Sequence, residues 1–177
     1  ITSNLGEKID NISNYAITLS INSNIADVLK ENPTVPENTL EHFLVNSELT
    51  DQAQRIIGLH KNIYAWDILD TENHWFHSST TETDQLDSIL GPEVLDSLQT
   101  NLAFQFLGPF QISGEPTFVA LKSITNIDNT KYLGALVLLI RETNISSAFR
   151  DLPDSSSRDF YITDENGQIL SSSSSGG

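Results

Sequence analysis

One pattern is written twice in this chain, and it dictates two β-hairpins of the same kind. The first copy runs Ile68-Leu69-Asp70-Thr71-Glu72-Asn73-His74-Trp75-Phe76-His77-Ser78-Ser79, the second Ile162-Thr163-Asp164-Glu165-Asn166-Gly167-Gln168-Ile169-Leu170-Ser171-Ser172-Ser173. Without a gap, both read apolar-x-Asp-x-x-(Asn/Gly)-x-apolar-apolar-x-Ser-Ser. Aspartate opens a tight turn by bonding backbone N–H groups just ahead of it, and Asn73 or Gly167 supplies the positive φ that the turn needs. A repeat of this form predicts two successive units of one type, the second only begun.

The rest of the pattern fills in the first unit. Residues 1–32 read as one long helix. Its apolar positions Leu5, Ile9, Ile12, Ala16 and Leu19 alternate steps of four and three, a heptad-like seam suited to a partner helix in a dimer. A second apolar line, Ile17, Ile21, Ile25, Val28 and Leu29, is expected to pack on the domain itself. Pro33 and Pro36 end the helix. A second helix is predicted over 37–60 with Leu40, Phe43, Leu44, Leu49, Ala53, Ile56 and Ile57 on its apolar side.

The period then falls to two. Strands are predicted at 62–69 and 74–79, and two short helices over 80–101 meet at Gly91-Pro92. A strand follows through Phe104 and Phe106 to the break at Gly108-Pro109, then strands 116–125 and 131–141 around a turn at Asp128-Asn129-Thr130. The last of these is almost wholly apolar and is expected at the centre of the sheet, covered on both faces. A short helix at 143–150 leads to the second hairpin. The order predicts an α+β domain, helices packed on a five-stranded antiparallel sheet. Its parts are a long helix at 1–32, a sheet domain at 33–150, the first hairpin of a truncated second unit at 158–173, and a linker-like end at 174–177.

Composition removes several function classes. Nine Lys and Arg against 24 Asp and Glu give a net charge of −15, which argues against nucleic acid and against an anionic membrane face. The chain has no Cys, hence no thiolate metal site or thiol nucleophile. No run of about 18 apolar residues is present to span a bilayer. A start at Ile1 and the lack of Met are expected of a fragment of a longer, membrane-anchored protein.

Catalytic constellations are missing too. There is no Gly-x-Ser-x-Gly elbow and no phosphate-binding Gly-rich loop. His74 and His77, three apart on a strand, point to opposite faces and are not expected to share a metal. Asp67 and Asp70 also fall on opposite faces, so no glycosidase-like carboxylate pair is expected. His42 and His60 stand alone and read as surface residues, and Arg141 as a surface ion-pair partner.

The Asn-rich opening helix ending Ile25-Ala26-Asp27-Val28-Leu29, the hairpin around Asp70, and the strand Tyr132-Leu133-Gly134-Ala135-Leu136-Val137-Leu138-Leu139-Ile140-Arg141-Glu142 carry a likeness. With the Phe160–Ser172 segment, they make nearly the whole chain resemble the extracellular Cache (PAS-like) sensor domains of bacterial transmembrane histidine kinases, the Gram-positive type in particular. The resemblance implies a membrane-distal sensing unit followed by a smaller proximal one, with no enzymatic activity and no cofactor in this part. It implies a location on the outer face of the bacterial cell membrane and a homodimer signalling through helix 1. The same module also serves chemoreceptors and cyclic-dinucleotide enzymes, and a secreted substrate-binding protein is a further alternative.

In such domains the ligand lies between the sheet and the segment covering it, here 79–108. The residues expected to face it are Tyr64, Trp66, Trp75, His77, Phe106 and Lys122. An aromatic wall with a few polar tips suits a sugar-like ligand, and an extracellular binding protein is the alternative partner. The same aromatics also fit a plain core, and Lys122 a solvent position. The amino-acid-binding subtype carries Arg-x-x-Trp, but Ile63 and Glu72 occupy the Arg position before Trp66 and Trp75.

Overall fold

The computed structural model describes residues 3–58, 60–77, 83–128, 130–150, 161–163 and 169–172, with side chains for 6–58, 60–77, 85–128 and 130–146. The predicted α+β architecture is present. Helices α1 (Ser3–Ser20), α2 (Ser23–Glu31) and α3 (Leu40–Ile57) precede strands β1 (Ala65–Leu69) and β2 (Trp75–His77). Helix α4 (Thr83–Thr100) leads to β3 (Gln105–Ile112), β4 (Glu115–Thr125) and β5 (Tyr132–Arg141), and α5 (Glu142–Arg150) follows. The five strands form an antiparallel sheet in the order β2-β1-β5-β4-β3. A second, two-stranded sheet pairs β6 (Tyr161–Thr163) with β7 (Ile169–Ser172), the strands of the second repeat copy. The turn between them, the linker-like end and Asn129 lie outside the described residues.

Strand β5 holds the centre, as its apolar run requires. Alternate residues feed two separate cores. On one face Leu136, Leu138 and Ile140 join Trp66, Ile68, Phe76, Phe118 and Ala120 beneath α1, α2, α3 and Ile145 of α5. On the other, Ala135, Val137 and Leu139 join Ala65, Leu69, Trp75, Val119 and Leu121 beneath Leu86, Leu90 and Leu98 of α4. Burying each large side chain contributes about 1.5–3 kcal/mol, so a strand sandwiched between two cores is the most stable place in the sheet.

The opening helix differs from expectation in two ways. It is broken: Asn22 leaves the helical region (φ −67°, ψ 117°) and its Oδ1 accepts from Asn24 N and Ile25 N, capping α2. Secondly, the expected dimer seam is filled by the domain's own core. Ile12, Ala16 and Leu19 are fully buried against the sheet, Ile9 is half-buried, and the side chain of Leu5 lies outside the described residues. The apolar residues left in the open here belong to the other line, Ile17 and Ile21, 40% and 70% exposed. Ile25, Val28 and Leu29 pack inward as expected.

Helix α3 starts at a Thr39 cap, whose Oγ1 accepts from His42 N. It buries Val45, Leu49, Ala53 and Ile57, while Leu40, Phe43 and Leu44, expected on that apolar side, point outward. Helix α4 bends at Gly91 (φ 58°, ψ 164°) before Pro92, dividing it into the two predicted halves. Strand β3 runs on through Gly108-Pro109 instead of stopping there, with a register shift between Leu107 and Phe110 absorbing the irregularity.

Candidate functional site

The turn at Asp70 fixes the geometry of the site. Asp70 Oδ1 accepts from Glu72 N (2.8 Å) and His74 N (2.9 Å), and Oδ2 accepts from His74 Nδ1 (2.9 Å). Asn73 takes φ 66°, the left-handed conformation read from the sequence. This tight turn sets Leu69 opposite Trp75 and Asp67 opposite His77. The α4 face of the sheet therefore carries Asp67, Trp75 and His77 together.

Directly opposed residues lie close enough to bond, and His77 Nδ1 donates to buried Asp67 Oδ1 at 2.7 Å. The Trp75 and His77 rings stack with centroids 6.0 Å apart. Above them, Trp75 Nε1 donates to Asp87 Oδ1 of α4 (2.7 Å). Two carboxylates, an indole and an imidazole thus converge under the first half of α4. A second anchor holds the far half: Ser123 Oγ lies 2.5 Å from Leu98 O. Gly91 sits between the anchors, where the helix is already bent.

Strand β2 is an edge strand, and its outer backbone groups need partners. Helix α3 supplies them. Asn46 Oδ1 accepts from His77 N (2.8 Å). His42 Nε2 lies 3.0 Å from Trp75 O and, a carbonyl being only an acceptor, donates to it. The His42 ring also stacks on Phe76, centroids 4.8 Å apart. His42 is therefore a positioning residue of β2, not the lone surface residue expected. His60 is likewise engaged, its ring 3.6 Å from that of Tyr15.

The six residues expected to face one ligand do not share a face. Trp75 and His77 lie under α4. Trp66 and Phe106 belong to the opposite core, with Phe106 stacked on Phe118. Lys122 alternates with Leu121 and Ser123 and follows Ala120 and Phe118 to that side, where its ammonium bonds Leu102 O. Tyr64, just before β1, carries the Arg141 guanidinium 5.0 Å above its ring. Arg141 pairs with Glu115 at 2.6 Å on the surface, as predicted. Tyr64 and Trp66 instead line a cleft of about 220 Å³ with Gln54, Ile57 and His60.

The sequence reading missed Asp87, Asn46 and the role of His42. Only the spacing of His42 and Asn46, one helical turn apart, offered a signal. Asp67 and Asp70 each bond a histidine of their own, His77 and His74. Among the described residues no group of three or more His, Cys, Asp or Glu could hold a metal.

Tyr132 lies on the same face. Burial and the Asp70 carboxylate together push its phenol from 10.0 up to about 12. The raised folded value means that the buried neutral phenol stabilises the domain fully below pH 10, and that this contribution is lost as pH rises from 10 through 12. Urea melts across that window should show a stability decline that Tyr132→Phe removes. An identical decline in the Phe variant would place the titration elsewhere.

Comparison with solved structures shows what shares this fold. The sensory domain of the Campylobacter jejuni chemoreceptor Tlp3 with isoleucine bound superposes with a TM-score of 0.66 at 12% identity, covering 97% of this chain and 66% of that one. The periplasmic domain of Vibrio cholerae LuxQ gives 0.55 at 11% identity, covering 96% and 73%. The extracellular domain assigned to the histidine kinase rpHK1S-Z16 gives 0.54 at 16% identity, covering 97% and 73%. The chain thus has the fold of extracellular sensory ligand-binding domains and spans about two thirds of the length of the Tlp3 domain. No family model matches the sequence, and no curated protein matches it.

Proposed function

We propose that this chain is the signal-sensing part of a bacterial membrane receptor and binds a small molecule against the α4-covered face of its sheet. The observation that carries this reading is the convergence of Trp75, His77, Asp67 and Asp87 beneath a helix bent at Gly91. Such an array sets an indole, an imidazole and carboxylate acceptors side by side at the α4 edge of the core, groups able to bond a polar ligand once the first half of α4 shifts. The array carries two carboxyl groups, Asp67 and Asp87, and no Lys or Arg. They suit hydroxyl donors, as on a sugar-like ligand, better than the carboxylate of an α-amino acid.

The parent would lie in the cell membrane with this part outside. No helix among the described residues is long and apolar enough to cross a bilayer. A histidine kinase is the favoured output and a chemoreceptor the alternative; this part senses and does no chemistry. Ligand entry would lift or seat the first half of α4, and the sheet would pass that shift to α1 packed on its other face. A homodimer would meet through Ile17 and Ile21, the apolar residues left open around the end of α1.

A thermal-shift screen against mono- and oligosaccharides, organic acids and amino acids tests the site. At a ligand concentration about 100 times Kd, binding adds about 2.7 kcal/mol, a rise of roughly 5–10 °C for a chain of this size. Trp75→Ala should abolish the rise, and Asp87→Asn, at an exposed position and with an amide oxygen still able to accept from Trp75 Nε1, should reduce it at a small folding cost. A rise kept in both variants but lost in Trp66→Ala would move the site to the Tyr64 cleft and refute the α4 face.

A further inference from the structure

Helix α3 turns opposite faces to different surroundings. Inward, Val45, Leu49, Ala53 and Ile57 enter the core, and His42 and Asn46 bond the backbone of β2. Outward, Leu40, Phe43 and Leu44 are 75%, 67% and 58% exposed. At i, i+3 and i+4 they form one continuous apolar surface, on the order of a few hundred Å², the size at which exposed patches on single chains are often functional. Glu37, Glu41, Glu48 and Asp51 are exposed along the same side, with Arg55 beyond them.

We infer that this outer face of α3 docks a partner protein whose own surface is basic and apolar. The three apolar side chains supply the buried centre of such an interface, and the four carboxylates its charged rim. Charge decides between occupants. A second copy meeting the same face would set these carboxylates against their own kind, in a chain of net charge −15. An anionic bilayer is repelled for the same reason. The docked partner would press on the helix whose other side holds Trp75 O and His77 N, giving a partner-borne signal a direct route to the α4-face array. That consequence rests on the sensor reading; the docking itself does not.

The test titrates the full chain into a fluorescein-labelled amphipathic helical peptide of Leu and Lys, followed by anisotropy at low and at physiological salt. Binding should be stronger at low salt. Phe43→Ser with Leu44→Ser, both exposed, should weaken it roughly ten-fold or more while leaving the melting temperature unchanged. Glu41→Gln with Glu48→Gln should weaken it and flatten its salt dependence. A scrambled peptide of equal composition binding equally well would reduce the effect to bulk charge and overturn the proposal. So would an unchanged affinity in the serine pair. A wild-type dimer in sedimentation that the serine pair converts to monomer would assign the face to a second copy instead. A ligand-induced thermal shift that survives in the serine pair keeps the α4-face reading separate from this one.

Discussion

Gly134→Ala is expected to destabilise the domain by roughly 3–5 kcal/mol, a large share of the ~5–15 kcal/mol that holds a domain folded. The cause is a backbone approach, not a turn. A Cβ built on Gly134 would lie 2.2 Å from Leu69 O and 3.3 Å from Leu69 C, and main chain in the middle of a sheet cannot step aside as a side-chain tip can. The position is over-determined. The β4–β5 ladder pairs Thr125 with Tyr132 but Ile124 with Gly134, so Leu133 is an extra residue, and β1 pairs Leu69 with Ala135 right beside this bulge. The bulge and the C-terminal end of β1 meet at Gly134, and only an absent side chain lets them. Thermal unfolding should show a fall of roughly 10 °C or more. Gly6→Ala, with open space around its Cβ, should be neutral or slightly stabilising. A Gly134→Ala domain melting within a degree or two of wild type would show that β1 and β5 can part without loss.

Where one residue type decides the local geometry, the sequence was readable. Asp70 and Asn73 specified their turn, Gly91-Pro92 the bend in α4, and the apolar run of β5 its central place. The opening helix was not readable in the same way. It is so rich in Asn and Ser that Asn22, the residue that caps α2, has no contrast with its neighbours. Spacings of four and three describe the buried stripe of a helix lying on a sheet as well as a coiled-coil seam. Pattern alone could not tell whether Ile12, Ala16 and Leu19 face a partner or their own β4 and β5. On α3 the pattern could not show that Leu40, Phe43 and Leu44 lie opposite the side on which His42 and Asn46 meet β2.

The candidate site failed to be legible for a reason of register. Tyr64 and Trp66 alternate within one strand, as do Trp75 and His77, but which pair shares a side of the sheet depends on the turn. The five-residue connection sets Asp67 against His77 and Leu69 against Trp75. Odd positions therefore oppose odd ones, and Trp66 is sent to the far core. A one-residue change in that turn would exchange the faces. The site also draws on Asp87 and Asn46, contributed by two helices that approach β2 from different directions, a juxtaposition that no spacing within one element contains.

Because the register hangs on the turn, Asp70→Ala should damage both stability and the site. Asp70 is buried and accepts three hydrogen bonds, from Glu72 N, His74 N and His74 Nδ1. Bonds to a charged acceptor contribute ~1.5–3 kcal/mol each when alone. Glu72 is exposed and His74 partly so, so water can replace some of what is lost, and a total of about 2–4 kcal/mol is expected from urea melts. Asp70→Asn keeps an acceptor for the two backbone N–H groups and should lose about half as much. Two further readouts separate a local role from general loosening. Without the Asp70 charge, Tyr132 should titrate below its value of about 12, by ultraviolet absorbance, in both variants. The Ala variant should also lose more of any ligand-induced thermal shift than the Asn variant, since only its turn is free to let Trp75 and His77 slip against Leu69 and Asp67. If Ala and Asn are equally stable and equally responsive, the turn is held by its backbone alone, and the aspartate that marks both copies of the repeat has no part in setting which side chains share the α4 face of the sheet.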